Sequence, residues 1–488
     1  MPTRLGNRSL RDKAWPITVL AVAAVLYCVI SLVNHFLFKT YALDLGLYNH
    51  ALYDYAHFKI DDCTLFKTDP QNILSDHFDL YLPLLSPLHF VFGSYTLLIV
   101  QILSVLLGAW GIYKLIGLYT DSKTYPLLAM SVFLSFFGIW HALSFDYHSN
   151  VLSAMLLPWF LYAFKKERYV LSTVLVVLFV IGKENISLWL VFIALALMWD
   201  YRKNRKALWH LGAYALFGLA YFFVVNMVVM PALGGSGGGF RRYAHLGGNY
   251  AEIARNLLSH PGETLQLLFI NIDGNHAHDG VKAEFYLCAL ASGLILAFFK
   301  PNYLLMLLPL IGQKMLSLDY KFWGVSLQYS VEFAPVLVIA AFLAILNFQR
   351  RKKSVWLAWA LLGTTLVTSF YTLGNPKSYF SRDKVRFYQA MHYEQKDYDV
   401  REVRRMLQLI PDDASVCATM SFVPHLAFRE QIYNFPIGKQ HDPDYYFLVK
   451  DYWRYNEKNK LAVEALLGDS EHYEIVESCE NLVLLRKK

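Results

Sequence analysis

Long apolar runs recur along the chain and stop near residue 373. A helix needs roughly 20 apolar residues to cross the hydrocarbon core of a bilayer, and somewhat fewer where the bilayer is thin. We interpret eleven of the runs as membrane-spanning helices, at residues 16–36, 96–118, 125–143, 150–164, 170–182, 185–199, 208–232, 282–299, 303–318, 330–348 and 354–373. The fourth to sixth and the ninth of these runs are short. The pattern predicts a polytopic α-helical membrane protein.

Two long polar segments interrupt the apolar runs. Residues 37–95 are predicted to form a first outer loop, and residues 233–281 a later outer loop that opens with a glycine-rich stretch. Such a stretch is typical of a substrate-gating loop and equally of a passive linker. We assign residues 1–373, with these two loops, to one transmembrane domain.

The remaining residues, 374–488, are more charged and lack long apolar runs. Short β-rich pieces alternate there with helix-like stretches, a pattern typical of a small α/β domain. Strands are expected at 414–420, 431–435, 444–449, 473–478 and 481–487, and helices at 397–409 and 457–467. The chain is therefore predicted to end in a small soluble α/β domain.

Composition and charge support this interpretation. Of the 488 residues, 56% are hydrophobic and 17% are charged, whereas soluble proteins average about 25% charged residues. The mean hydropathy is +0.32. The net charge of +7 comes largely from the loops between apolar runs, so no nucleic-acid partner is expected.

Basic residues indicate the orientation of the predicted bundle. They cluster at residues 4–13, 165–168, 202–206 and 350–353. With eleven spans, all four clusters fall on the same side, which the positive-inside rule makes cytoplasmic. The N-terminus is then predicted inside and the C-terminal domain outside the cytoplasm. The first span is long and no small-residue cleavage site follows it, which favours an uncleaved anchor.

Ionisable residues stand at several junctions on the opposite, outer side. They are Asp44, Asp76, His77, Asp146, His148, Lys183 and Glu184. Charged groups at a membrane are costly and are functional candidates by default. Because these residues share one side, the sequence predicts a single site at the outer membrane face.

Several segments resemble a known family over nearly the whole chain. They are LDLGLYNHALY (43–53), SDHFDLYLPLLSPLHFVFGSYTLLIVQ (75–101), FDYHSNVLSAMLLP (145–158), GKEN (182–185), QYSVEFAPVLVIAA (328–341), ASVCATMSFVPHLAFREQIYNFP (414–436), DYYFLV (444–449) and ENLVLLRK (480–487). The chain resembles the bacterial membrane-protein family named domain of unknown function 2079. That family is similar to the GT-C superfamily of multi-span glycosyltransferases, which use polyprenyl-phosphate-linked sugars. The resemblance implies a GT-C-like bundle in the bacterial inner membrane.

The resemblance also implies roles for individual residues. Asp44 fills the position of the essential acidic residue early in the first outer loop. Asp146 and His148 match the Asp-x-His pair of the oligosaccharyltransferase branch. Positions 42 and 46 are alanine and glycine, so the first loop lacks the Asp-x-Asp pattern. Use of Mg²⁺ or Mn²⁺ is therefore left open, with Asp146 and His148 as the metal ligands if an ion is bound.

For transfer from a lipid phosphate, Asp44 is expected to be the general base that takes the proton of the acceptor hydroxyl. A single carboxylate suffices for inversion, which we expect. The donor phosphate is expected to meet Lys183, which Glu184 orients, together with His77 and two arginines of the glycine-rich loop, Arg241 and Arg242. Asp76 is expected to complete the site.

A structural explanation stays open for each motif. Asp44 fits a helix N-cap, and Asp76 with His77 fits a cap at an interfacial helix. Asp146 and His148 fit a polar turn, and Lys183 with Glu184 fits a self-neutralising pair. The two loop arginines fit solvated charges. Likewise, Cys417 and Cys479, both predicted outside the cytoplasm, fit either a disulfide or buried free thiols.

Three functions compete. The first is a membrane glycosyltransferase whose partners are a polyprenyl-phosphate-linked sugar, a glycan, lipid or protein acceptor, and membrane lipid. The second is a transporter or flippase of lipid-linked sugar, and the third a non-enzymatic envelope-assembly protein. Transporters often contain internal repeats and charges at the membrane midplane. The sequence has no evident repeat, and its charges gather at one face, which favours the enzyme.

Overall fold

A computed structural model describes residues 4–60, 63–65, 72–235, 238–348, 354–374, 376–378 and 381–488. The basic cluster at 350–353 and the predicted first residue of the tail, Asn375, lie outside the described residues. The protein is mostly helical, with one five-stranded sheet near its C-terminus.

Helices begin and end close to the positions that the hydrophobic pattern predicts. In the first half of the chain they are α1 (Arg4–Phe36), α2 (Leu47–Ala56), α3 (Tyr81–Leu85), α4 (His89–Phe92), α5 (Thr96–Ile116), α6 (Thr124–Leu134), α7 (Phe137–Ser144), α8 (Ser149–Lys165), α9 (Tyr169–Val180), α10 (Ile186–Asp200), α11 (Arg205–Val224) and α12 (Met230–Ala232). In the second half they are α13 (Tyr250–Ser259), α14 (Pro261–Leu267), α15 (Val281–Ala289), α16 (Ile295–Ala297), α17 (Pro301–Met315), α18 (Tyr320–Trp323), α19 (Phe333–Asn347), α20 (Ser354–Gly374), α21 (Arg382–Val385), α22 (Val400–Leu407), α23 (Val423–Leu426) and α24 (Glu457–Gly468).

Among the described residues, fewer helices are long and apolar enough to cross a membrane than the eleven predicted. By length and apolarity, five helical stretches of the described chain qualify: Ala14–Phe36, Tyr81–Ile116, Arg205–Ala232, His276–Ala297 and Ser354–Gly374. Helices α6 and α7, bent by 43° at their junction, make a sixth if they act as one span. Helices α9, α10 and α19 are apolar but shorter. The structure therefore supports five or six spans, and the count of eleven stays a prediction.

The chain divides into two compact units. The helical unit comprises Met1–Cys28, Asp76–Asp79 and Gln101–Val385, and the mixed unit comprises Val29–Ser75, Leu80–Val100 and Arg386–Lys488. The compact units thus do not follow the boundary predicted between residues 373 and 374.

The core of the helical unit is built around α19. Every residue of α19 from Phe333 to Ile345 is buried. Close packing continues at α7, where a Cβ on Gly138 would lie 2.5 Å from the carbonyl oxygen of Ser330. Ser330, three residues before α19, therefore approaches Gly138 of α7 at a distance that only glycine permits. Complete burial explains why α19 is apolar on every side.

The mixed unit contains the sheet, with strand order β2-β1-β3-β5-β4. Its strands are β1 (Val416–Ala418), β2 (Ile432–Asn434), β3 (Tyr445–Val449), β4 (Tyr473–Cys479) and β5 (Leu482–Lys487). Strand β1 pairs in parallel with β2 and β3, whereas β5 pairs antiparallel with β3 and β4. All five strands and the two predicted helices, α22 and α24, are confirmed.

The first loop and the tail belong to the same unit because their polar groups pair. The Asn49 side chain donates to the Pro424 carbonyl at 3.0 Å, and His50 Nδ1 lies 3.2 Å from the Ala427 carbonyl oxygen. Buried polar groups need such partners, so α2 is fixed against the segment around α23. The composition change near residue 374 records the end of the apolar runs, not the end of a packed unit.

Both cysteines considered for a disulfide are free thiols. Cys417 lies in β1 with its side chain in the core of the sheet, among Tyr433, Tyr446 and Leu448. Cys479 is half-buried at the end of β4. The alternative of free thiols is therefore the one that the structure adopts.

Candidate active site

The segment Asp76–Asp79 connects two of the predicted motifs within the helical unit. His77 Nδ1 lies 3.5 Å from Glu184 Oε1, and the Phe78 backbone N–H donates to Glu184 Oε2 at 3.2 Å. Asp79 is fully buried, and its Oδ2 accepts a hydrogen bond from the Tyr147 hydroxyl at 3.1 Å. The segment thus contacts the turn of Glu184 at one end and residue 147, between Asp146 and His148, at the other.

Glu184 lies in the turn between α9 and α10. Its side chain is 15% exposed and that of His77 is 26% exposed, so solvent screens the pair only in part. Burial alone would raise the pKa of the Glu184 carboxyl. The contact with His77 and the charges of His77 and Lys183 outweigh burial and lower that pKa to about 2. Glu184 is therefore an anion held by the two predicted site residues beside it, His77 and Lys183.

Asp76 belongs to the same group but lies nearer to solvent. Its Oδ2 is 3.9 Å from His77 Nε2, and its side chain is 53% exposed. His77 therefore stands between two carboxylates, one exposed and one nearly buried. The structure brings together Asp76, His77, Lys183 and Glu184, as predicted.

We expect that in His77→Ala the loss of folding stability on acidification begins at a higher pH than in the wild type. A carboxyl whose pKa falls on folding stabilises the fold above its unfolded pKa, and that contribution is lost as the pH falls through the folded pKa. With His77 present, the contribution of Glu184 persists until the pH approaches about 2. Without His77, burial is opposed mainly by Lys183, so the loss begins at higher pH.

The measurement is the melting temperature of the full chain in detergent between about pH 3 and pH 6, a range that spans the ordinary carboxyl pKa. His260→Ala, at an exposed histidine of the same unit, is the matched control and should follow the wild-type curve. A loss of stability that begins at the same pH in His77→Ala as in the wild type would contradict the assignment.

Asp146 forms a buried ion pair that the sequence did not reveal. Lys384 Nζ, on α21, lies 3.2 Å from Asp146 Oδ1, and the two side chains are 1% and 0% exposed. The ammonium also lies 5.2 Å from the centre of the Phe145 ring. A charge removed from water in this way requires a partner, and Lys384 supplies it.

The backbone around this pair is held by Gln101, on α5. Gln101 Oε1 accepts from the His148 backbone N–H at 2.9 Å, and its Nε2 donates to the Asp146 carbonyl at 3.5 Å. His148 Nδ1 lies 3.2 Å from the same carbonyl oxygen. The Asp-x-His segment is therefore a fixed turn between α7 and α8.

A role of Asp146 and His148 as ligands of a divalent cation stays a prediction. Mg²⁺ prefers octahedral coordination by oxygen ligands, and the described residues contain no group of three His, Cys, Asp or Glu side chains placed to share an ion. One Asp146 oxygen already meets the Lys384 ammonium. We therefore derive no step through a metal, and Asp146 is assigned to the ion pair.

A narrow cavity lies beside the buried ion pair. Its walls include His141, Ser144, Phe145, Leu327 and Arg382. His141 is 1% exposed, and in the described part of the chain its Nε2 has no hydrogen-bond partner. The cavity is thus lined by a polar atom, His141 Nε2, and by Ser144 and Phe145, which precede Asp146. No sequence motif indicates this cavity.

A second buried polar group begins in the last turn of α17. Lys314 Nζ donates to the Gly324 carbonyl at 2.6 Å and to the Ser330 hydroxyl at 3.1 Å. The Asn150 amide donates to Glu332 Oε1. Sequence reasoning missed Lys314 and Glu332, although a charged residue within or beside an apolar run was itself a usable signal.

The two loop arginines do not contact the His77–Glu184 pair. The Arg242 guanidinium lies 4.8 Å from the centre of the Phe322 ring. The backbone carbonyl of Arg242 accepts a hydrogen bond from the Leu318 backbone N–H at 2.8 Å. Arg241 is exposed. A role for these residues at the donor phosphate stays a prediction.

Asp44 lies in the mixed unit, on a π-helical turn formed by Ala42–Gly46 that leads into α2. The N-cap positions of the turn and of α2 are Tyr41 and Gly46, and neither element has a side-chain cap at its start. The N-cap explanation for Asp44 is therefore wrong. Asp44 is half-buried, and a Cβ at Gly46 would lie 2.9 Å from Val423 Cγ1, so the turn is tightly held. Convergence of Asp44 with the residues of the helical unit stays a prediction.

These observations define a polytopic membrane protein with a cluster of charged residues between apolar helices. The family model described as "Predicted membrane protein (DUF2079)" matches residues 34–484. The chain belongs to this family, and the predicted resemblance is confirmed.

Two further comparisons are less informative. A search of the curated proteins returns no match. Among solved structures, the chain is similar to the archaeal oligosaccharyltransferase AglB from Archaeoglobus fulgidus, in complex with an inhibitory peptide and a dolichol-phosphate. Identity is 13%, the match covers 90% of this chain and 69% of that chain, and the TM-score is 0.43. A likeness of this degree does not transfer an activity to this chain.

Proposed function

We propose that the protein is a membrane glycosyltransferase that moves a sugar from a polyprenyl-phosphate carrier to an extracytoplasmic acceptor. The observation that carries the proposal is the meeting of His77, Lys183 and Glu184 at a turn between two apolar helices. The segment of His77 also contacts residue 147. A lysine and a histidine held at the end of apolar helices suit a phosphate attached to a membrane-bound lipid.

In the proposed reaction, an oxygen of the acceptor attacks the anomeric carbon of the sugar. The new glycosidic bond forms as the bond between that carbon and the phosphate oxygen breaks. The acceptor proton passes to the Asp44 carboxylate, and the lipid phosphate leaves with the electron pair of the broken bond. No added energy source is needed, because phosphate is already a good leaving group. The protein positions the acceptor, removes its proton and neutralises the phosphate.

Lys183 is the proposed cation at the departing phosphate, with Arg241 or Arg242 closing over it from the glycine-rich loop. Glu184 and His77 fix the position of that cation. The Asp146 carboxylate, paired with Lys384, holds the turn between α7 and α8 in place. Inversion at the anomeric carbon follows if Asp44 is the one carboxylate that acts.

The proposal includes the orientation in the bacterial inner membrane, with the N-terminus in the cytoplasm and the C-terminal α/β region outside. The basic clusters at one side of the apolar runs support it. A periplasm-dependent reporter fused after Lys488 should be active, and the same reporter should be inactive when fused after residue 204. A reporter active after Lys488 only in the cytoplasm would overturn the orientation.

The function is tested with the purified full chain in lipid nanodiscs. A panel of radiolabelled polyprenyl-phosphate sugars is offered with glycan, lipid and peptide acceptors, and product is followed with time. We expect transfer from at least one donor. A flippase would instead move a labelled lipid across a sealed vesicle without forming a new glycoside, and that outcome would replace the proposal.

A further inference from the structure

A turn in the mixed unit places an arginine between two aromatic rings. The Arg454 guanidinium lies 3.9 Å from the centre of the Tyr41 ring and 4.6 Å from that of the Trp453 ring. Its Nη1 lies 3.6 Å from Met420 Sδ. In the described chain, no carboxylate forms an ion pair with Arg454. Its charge is therefore held by stacking and is available to an anion.

Other arginines of the same unit have carboxylate or backbone carbonyl partners for their guanidinium groups. Arg405 pairs with Glu402 and Glu477, and Arg486 pairs with Glu474. Arg429 donates to three backbone carbonyls. Compared with these side chains, Arg454 is distinctive because its guanidinium is fixed while its charge stays uncompensated.

The turn that carries Arg454 is rigidly anchored. Tyr452 is 2% exposed, and its carbonyl accepts from the Tyr455 backbone N–H at 2.8 Å. The Tyr455 hydroxyl lies 2.8 Å from Thr419 Oγ1, and the Asp451 N–H donates to Asn481 Oδ1 at 2.8 Å. A side chain mounted on such a turn loses little further freedom when it binds a ligand, which favours affinity.

Trp453 adds an exposed aromatic surface at the same place. Its side chain is 62% exposed, although most of the turn beside it is anchored. The amphipathic indole ring can pack against the apolar face of a sugar, while the adjacent guanidinium can form paired hydrogen bonds with a phosphate or carboxylate. The two groups together suit a sugar that carries a negative charge.

The candidate base lies on the neighbouring turn. Tyr41, under the Arg454 guanidinium, accepts a hydrogen bond from the Gly46 backbone N–H at 3.1 Å. That bond closes the turn Ala42–Gly46, on which Asp44 lies. Arg454 therefore stacks on the residue that begins the Asp44 turn.

We propose that Tyr41, Trp453 and Arg454 form a binding site for a sugar that carries an anionic group, either phosphate or carboxylate. The pairing of an uncompensated guanidinium with an exposed indole carries this inference. Its link to catalysis rests on the proposed function, because only a glycosyltransferase would need the sugar beside Asp44. The binding itself does not depend on catalysis.

The test measures equilibrium binding to the full chain in nanodiscs by calorimetry. The probes are glucose 1-phosphate, glucuronate, neutral glucose, inorganic phosphate and a short-chain polyprenyl phosphate. We expect the two anionic sugars to bind and neutral glucose not to bind. Arg454→Gln should weaken binding about 10- to 100-fold, the amount expected for a charge-assisted pair. Trp453→Ala should weaken the anionic sugars but not inorganic phosphate.

Arg486→Gln removes an equal charge from the same unit and is the matched control, expected to bind as the wild type does. Melting temperatures separate lost binding from lost folding. Preference for glucose 1-phosphate would assign the anionic group to a sugar phosphate, and preference for glucuronate would assign it to an acidic sugar. Tighter binding of the polyprenyl phosphate, which carries no sugar, would contradict the site. Wild-type affinity in Arg454→Gln, or equal binding of neutral glucose, would overturn the site. If Trp453 serves only as a membrane anchor, Trp453→Ala leaves every affinity unchanged, which also contradicts the proposal. Binding without turnover on any donor would refute the proposed function alone.

Discussion

Asp44→Asn is expected to lower turnover by about 10²- to 10⁴-fold, the usual contribution of a positioned general base. Asparagine keeps the size and shape of aspartate but cannot accept the acceptor proton. The flanking residues Ala42 and Leu45 are fully buried, so the turn that holds residue 44 should be preserved. Binding of the lipid donor should therefore stay close to that of the wild type.

The measurement pairs initial rates with donor affinity in the same nanodiscs. Asp412→Asn, at an exposed position of the same unit, is the control and should leave both quantities unchanged. Lys183→Ala should give the opposite result, a weaker donor affinity, because it deletes the charge assigned to the phosphate. Near wild-type turnover in Asp44→Asn would exclude Asp44 as the base.

Local signals in the sequence were sufficient for much of the fold. The segment 444–449 alternates little and is rich in aromatic and β-branched residues, and it forms the fully buried strand β3. Helix positions followed from apolar runs in the same way. Both results depend on residues close in sequence, which a single chain displays directly.

The count of eleven spans is not confirmed, because a helix can be apolar for two reasons. A helix is apolar on every side when lipid surrounds it, and also when protein surrounds it. Helix α19 belongs to the second class, since its residues from Phe333 to Ile345 are buried within the protein. Hydropathy alone cannot distinguish the two environments.

The candidate site was only partly predictable for a related reason. His77, Asp146 and Glu184 attract attention because each interrupts an apolar context. Lys384 lies in a charged stretch after the last apolar run, where a lysine is expected to be exposed to solvent, so the sequence does not single it out. Its partner is 238 residues away in the chain. Nothing local to either residue encodes the pairing, so only the folded structure identifies it.

That pairing leads to the largest expected effect on stability. Lys384→Met should lower the free energy of unfolding by about 3–5 kcal/mol, because it removes the Lys384 charge that lies beside the buried Asp146 carboxylate. Asp146→Asn should also destabilise the protein, since it removes the negative charge beside the buried Lys384 ammonium. The double variant removes both charges, keeps comparable side-chain volume and should recover most of the loss.

The measurement is denaturant and thermal unfolding of the four proteins in one detergent. The exposed pair Lys59–Glu430, with side chains 42% and 70% exposed, is the control. Lys59→Met should leave the free energy of unfolding nearly unchanged, as is usual for surface ion pairs. A double variant no more stable than Lys384→Met would show that the loss comes from packing and not from the broken charge pair. Recovery in the double variant would establish that Asp146 is held as an anion by Lys384, which fixes the turn between α7 and α8 against α21.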